Sequence, residues 1–206
     1  MDNNIIFFKN IDFKLIKIKP AKISDDFSIG DIKYLNKNLL VETDELIIRN
    51  INCNKTDYDL SCEFTSNEFY KFILKLEKNI IRTVHNKIEK WPYIKNIKDN
   101  FSSSLVFPKN INSNPEILFK IPIKKGNIQT KFFNSNNDRI SINDININNK
   151  IKLVIHIKDL FLVSNLFNIK LNINKLNLLD KNKINIEFCS DSEESDLDEM
   201  ILTDII

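Results

Sequence analysis

Two stretches near the C-terminal third of the sequence alternate apolar and polar residues with a period of two. In KIKLVIHIK (Lys150 to Lys158), Ile151, Leu153, Ile155 and Ile157 share one face, against Lys152, His156 and Lys158 on the other. FNIKLNI repeats the scheme, with Phe167, Ile169, Leu171 and Ile173 opposite Asn168, Lys170 and Asn172. This period belongs to half-buried β-strands, because successive side chains of an extended chain point to opposite faces. The short link VSN (Val163 to Asn165) predicts that the two strands pair as a hairpin, with one face packed on a core and the other turned to solvent. Shorter signals predict further strands at Ile11–Lys19, Leu39–Ile48, Tyr58–Phe64, Glu116–Ile123 and Asn127–Phe133. KKG (Lys124 to Gly126) supplies a hairpin turn between the last two, and NSNND (Asn134 to Asp138) another turn. Residues 20–37, polar and carrying Pro20 and Gly30, read as a loop.

One segment has a different period. Phe69, Phe72, Ile73, Leu76, Ile80, Val84, Ile88 and Trp91 recur at steps of three and four, which is one stripe of an α-helix and reads as a core face. Thr65 and Glu68 have the spacing of a capping box, and Pro92 cannot continue a helix, so a helix is predicted over about 66–91. Lys71, Lys75, Lys78, Lys87 and Lys90 occupy its other faces and read as solvated. A long connection, Trp91 to Pro115, follows with the run Ser102 to Ser104 inside it. The expected fold is β-rich α+β, an antiparallel sheet or barrel with one long helix.

Charge is unevenly distributed. The chain has 30 Lys and Arg against 28 Asp and Glu, but eight of those acids lie between Glu187 and Ile206, a stretch with no base. The remaining 20 acids leave residues 1–186 with a formal charge of +10. The reading is therefore one basic domain, 1–186, tied to a disordered acidic tail, 187–206. A basic body attracts polyanions, and the tail is their intramolecular competitor.

Several function classes fall away. Two glycines, Gly30 and Gly126, cannot build a phosphate loop or a dinucleotide-binding fingerprint. The three cysteines, Cys53, Cys62 and Cys189, are unpatterned and fit reduced thiols. His85 and His156 have no ligand-spaced partner, so no metal is expected, and no nucleophile, base and orienting acid assemble from motifs. No catalytic residue and no cofactor are expected, nor any membrane span, and the chain reads as a soluble intracellular protein rather than an enzyme.

Lys120, Lys124, Lys125, Lys131, Arg139, Lys152, Lys158 and Lys170 line the later strands and turns, with His156 among them. Trp91, Tyr93, Phe119, Phe132, Phe133 and Phe161 are interleaved in sequence. Cations hold phosphates and exposed rings stack on unpaired bases, so the combination suits single strands without sequence readout. Phe132 and Phe133 are adjacent, so in a strand they face opposite ways and only one can be core.

Four stretches carry a resemblance: EFYKFILKLEKNIIRTVHNKIEKW (Glu68 to Trp91), YIKNIKDN (Tyr93 to Asn100), ILFKIPIKKGNIQTKFF (Ile117 to Phe133) and NKIKLVIHIKDLFLVSNLFNIKLNINKL (Asn149 to Leu176). In order and pattern, over roughly residues 65–178, they resemble the single-stranded DNA-binding proteins of nucleo-cytoplasmic large DNA viruses, themselves thought to be related to acidic-tailed replication proteins of bacteriophages. The resemblance implies an oligonucleotide-binding (OB) barrel of about five strands interrupted by a helix, with a displaceable tail. It also implies single-stranded DNA as partner and action in viral DNA replication, recombination or repair at a host-cell cytoplasmic site, with nucleus and virion as alternatives. In the last strand, where the family pattern has a Gly and a Trp, this chain has Asn168 and Leu171, so no stacking aromatic is implied there.

In that reading Asp191, Glu193, Glu194, Asp196, Asp198 and Glu199 occupy the basic groove until DNA displaces them, and Ile205 and Ile206 anchor replication proteins. Ser190 and Ser195, each with an acid three residues on, suit an acidophilic kinase. A homo-oligomer is a further possible partner state. The rival reading is a structural or virion-packaged nucleic-acid- or protein-binding protein without single-strand preference; an acidic interaction module is the third.

Overall fold

The computed structural model describes residues 5–23, 27–54, 57–86, 100–107, 114–163 and 166–179. Among them are twelve strands: β1 (Ile5–Phe7), β2 (Ile16–Ile23), β3 (Phe27–Tyr34), β4 (Lys37–Glu42), β5 (Leu46–Cys53), β6 (Asp57–Phe64), β7 (Leu105–Val106), β8 (Glu116–Lys124), β9 (Asn127–Ile128), β10 (Lys131–Phe133), β11 (Lys150–Val163) and β12 (Leu166–Leu178). One α-helix, α1 (Asn67–His85), lies between β6 and β7. The molecule is thus β-rich α+β, as the two periodicities require. No helix among the described residues is long and apolar enough to cross a membrane.

β11 is the spine. It pairs antiparallel with β12 along its whole length, as the alternation predicts. Its other edge takes three partners in turn: β5 at Lys150 and Ile151, β4 from Val154 to Ile157, and β3 from Asp159 to Val163. β5 pairs β6, β6 pairs β8, and β8 meets β12 in parallel at Lys120 and Asn172. The pairings close a ring, β11-β5-β6-β8-β12-β11, the five-stranded OB-like arrangement expected, with α1 inserted after its second strand. Inward residues of the ring, such as Leu60, Phe119, Ile155 and Leu171, form the core with the predicted helix stripe Phe69, Phe72, Ile73, Leu76, Ile80 and Val84.

Several local expectations are corrected. Residues 20–37 are not a loop. β2 and β3 form an antiparallel hairpin, and the chain turns at Leu35 and Asn36, both with positive φ, to enter β4. Pro20 is tolerated because, among the described residues, β2 is an edge strand pairing only with β3. The strand predicted at Ile11–Lys19 begins only at Ile16, after a 3-10 turn over Phe13–Leu15 capped by the Asp12 carboxylate. The single strand predicted at Leu39–Ile48 is two, β4 and β5, because Thr43 Oγ1 accepts the Leu153 N–H (3.0 Å) and lets the chain bend between them. Asn127–Phe133 is likewise split at Gln129 and Thr130, whose hydroxyl donates to the Ile173 carbonyl (2.5 Å). Lys125 and Gly126, both with positive φ, make the predicted tight turn.

The helix cap is Ser66, not Thr65. The Ser66 hydroxyl accepts from the Glu68 and Phe69 N–H groups, while Thr65 donates to the Glu45 carbonyl. The described helix runs to His85, so the predicted continuation through Ile88 and Trp91 lies outside the described residues. Glu77 interrupts the apolar stripe yet is buried. Its carboxylate accepts from Ser103 Oγ (2.7 Å), Ser104 N–H (2.9 Å) and Ser104 Oγ (2.9 Å), which fastens the serine run of the long connection to the helix.

Candidate nucleic-acid interface

The outer face of β10, β11 and β12 gathers much of the predicted set. Register fixes the rows. Lys152 lies beside Asn177, which lies beside Phe133. The next row joins Val154, Lys175 and Lys131; further along come His156 with Asn172, then Phe161 with Asn168. Two bulges set this pattern. One, between Val154 and Ile155, brings Lys175 onto the outer face; the other, between Ile157 and Leu160, turns Phe161 outward while Leu160 and Leu162 stay buried.

Each end of the face carries the same device. The Lys170 ammonium sits 4.1 Å from the Phe161 ring centroid, and the Lys175 ammonium 4.6 Å from that of Phe133. Both rings are half-buried, so each keeps an accessible face. Arg139 is bridged to Phe133 through the backbone and is exposed. Lys131 and Lys158 are exposed and Lys152 is half-exposed. Lys158 has a loose ion pair with Asp159 (3.8 Å). His156 is half-buried, and its Nε2 has no hydrogen-bond partner among the described residues, as is true of Asn177 Oδ1. Burial pushes the His156 imidazole below its ordinary range, and the Lys158 charge adds to this.

Three predicted residues do not join the interface. Phe132 points into the core, as does Phe119, so neither ring can stack on a base; the adjacency rule selects Phe133 instead. Lys120 is on the outer face of β8 but is bound by Asp59, with Asp57 at 3.6 Å, and is not a free cation. Lys124 and Lys125 are exposed at the tip of the β8–β9 hairpin. Trp91, Tyr93 and the tail residues Asp191, Glu193, Glu194, Asp196, Asp198, Glu199, Ile205 and Ile206 lie outside the described residues. Lys175 is absent from the predicted set, because the alternation ends at Ile173, one residue before the bulge.

No family model matches the chain, and no curated protein matches it in sequence. Among solved structures it is similar to the single-stranded DNA-binding protein from bacteriophage Enc34, at 12% identity and a TM-score of 0.49, covering 86% of this chain and 98% of that one. A C-terminal truncation of the same phage protein gives 10% identity, a TM-score of 0.48 and coverage of 81% and 97%. gp2.5, the single-stranded DNA-binding protein encoded by bacteriophage T7, gives 10% identity, a TM-score of 0.47 and coverage of 81% and 100%. At these values the likeness places no side chain.

Proposed function

We infer that the outer face of β10–β12 binds single-stranded DNA with little sequence preference. The observation that carries this reading is the pair of lysine-capped rings, Lys170 on Phe161 and Lys175 on Phe133, with further lysines between them. A lysine over an exposed ring contributes about 0.5–1 kcal/mol, whereas stacking a base on an aromatic ring contributes about 1–3 kcal/mol. Exchange is therefore downhill: the flexible ammonium swings to a phosphate and a base takes the ring face. Duplex DNA cannot offer its bases this way, which is the source of single-strand preference. The setting is the one implied by the sequence resemblance, coating of unpaired strands in viral DNA replication, recombination or repair. The acidic segment reduces the body's net charge and offers Ile205 and Ile206 to replication proteins.

Fluorescence anisotropy with matched single-stranded and duplex oligonucleotides tests this. Phe133→Leu and Phe161→Leu keep apolar contact and remove the π-face, so each should weaken single-strand binding about tenfold, near the low end of that stacking range. Equal or tighter binding to duplex by the parent protein favours the structural or virion-packaged reading, without single-strand preference, instead.

A further inference from the structure

Lys120 stands at the border of the strand face but is withheld from it. Its Cα pairs in register with Asn172 of β12 on one side and with Asp59 of β6 on the other. Asn172 in turn lies beside His156 of β11. One outward row therefore runs Asp59, Lys120, Asn172, His156 across four strands, and it crosses the face between its Phe161 and Phe133 ends. Asn172 and His156 bring no lysine to the middle of the face. Lys120, one strand spacing of about 4.8 Å from Asn172, is the nearest cation across the sheet.

Two carboxylates hold that cation back. Lys120 Nζ donates to Asp59 Oδ1, and Asp57 Oδ1 lies 3.6 Å from it. Asn54 Nδ2 donates to the other Asp59 oxygen (2.7 Å), which fixes that carboxylate. The side chains of Lys120, Asp57 and Asp59 are 26%, 19% and 21% exposed, so salt screens this triad less than it screens a phosphate on the open face. A purely structural ion pair needs one carboxylate. The second leaves the triad with a net charge of −1 at the edge of a phosphate-binding face. The opposite border repeats the arrangement: Lys33 Nζ lies 3.4 Å from Asp31 and donates to Asn38 Oδ1 (2.8 Å). Along the face itself, among the described residues, the lysines form no ion pair beyond the loose one of Lys158 with Asp159 (3.8 Å).

Resting on the strand-face reading, we propose that Asp57 and Asp59 are affinity-limiting residues: they withhold Lys120 from the bound strand and leave the phosphates to Lys131, Lys152, Lys158, Lys170 and Lys175. Two sheltered carboxylates outcompete one exposed phosphate, so Lys120 stays latched when the strand arrives. The withheld contact keeps the strand exchangeable, because differences in contact act mainly on dissociation.

Anisotropy titrations of the full chain over a range of salt test this with Asp57→Asn plus Asp59→Asn, which keeps the side-chain shapes and removes both charges. The freed Lys120 adds one phosphate contact, so the salt slope should steepen from about −3.5 to about −4.2, at roughly 0.7 per phosphate. The variant's advantage over the parent should then grow about fivefold for each tenfold fall in salt. Adding Lys120→Gln should return the slope to the parent's. An unchanged slope in the double variant overturns the latch. So does a steeper slope that survives Lys120→Gln, because the acids then act by repulsion alone. If the variants misfold, nuclear magnetic resonance of the parent chain decides. The Cε and Nζ signals of Lys170 and Lys175, which lie over rings, should shift when a strand of about ten nucleotides is added, while those of Lys120 stay in place. Movement of Lys120 together with them overturns the latch and leaves the strand face standing. Stationary signals from Lys170 and Lys175 remove the strand-face reading, and the latch with it.

Discussion

His156 faces outward from β11 beside Leu40 and Asn172, with Lys158, Asp159, Lys33 and Asp31 around it. Burial and the two lysines lower its pKa, while the two aspartates oppose them more weakly. Between the lowered folded value and the ordinary one of about 6.5, the unfolded chain binds the proton that the folded chain refuses. Stability therefore falls as pH drops from about 6.5 towards the folded value, and it recovers on raising the pH. Thermal melts from pH 7.5 to 5.5 should show a declining Tm, and His156→Gln should flatten that decline. A phosphate beside the ring favours the protonated form, so single-strand affinity should rise over the same interval; a pH-independent affinity in the parent protein would place the strand elsewhere. The alternation in KIKLVIHIK makes the outward position of His156 legible in the sequence. Phe161 is harder to read: it sits in the apolar run DLFLV, and only the bulge before Leu160 decides which of its residues faces out. Local pattern finds a face wherever the period is kept and loses it at a bulge.

Among the elements, α1 is the most legible, because an apolar stripe at steps of three and four matches the period of a helix and of no strand. Leu76→Asp or Ile80→Asp places an unpaired charge at a fully buried position and should cost on the order of 3 kcal/mol or more, read as loss of the cooperative melt. The break in that stripe is not legible, since Glu77 reads as a solvated acid until the serines 26 and 27 residues away are brought to it. Glu77→Ala removes three accepted hydrogen bonds, one of them from a main-chain N–H, and should cost about 2 kcal/mol. Hydrogen exchange at Ser104 and Leu105 should accelerate more than exchange within β11. Uniform acceleration would mean that Glu77 supports the whole domain rather than the connection. The β2–β3 hairpin escapes local reading for a related reason: Pro20 and Gly30 are breakers by local chemistry, but an edge strand has no ladder partner on the side where proline lacks its donor.

At the scale of the whole molecule, ring closure depends on β8 meeting β12 across about fifty residues of sequence, a pairing that no local period announces. The β11–β12 hairpin, by contrast, is local and readable. Charge segregation is readable too, but composition cannot show that the basic body has two separate cationic surfaces. Those surfaces make different predictions. Lys131, Lys152, Lys158, Lys170 and Lys175 lie on the strand face, so a strand neutralised by these five releases counterions with a salt slope of about −3.5, at roughly 0.7 per phosphate. The face runs ten residues along β12 from Asn168 to Asn177, nine steps or about 30 Å, which spans about nine nucleotides at the duplex rise of 3.4 Å and fewer if the strand is stretched. Lys152→Gln with Lys158→Gln should lower the slope by about 1.4 and weaken binding at low salt. Lys75→Gln with Lys78→Gln should leave the slope unchanged, because these lysines stand on α1, away from the strand face. Anisotropy titrations at several salt concentrations, with a strand of about ten nucleotides to cover the face, separate the cases. If the helix pair lowers the slope as much as the strand pair, DNA runs along α1 as well as, or instead of, the strand face.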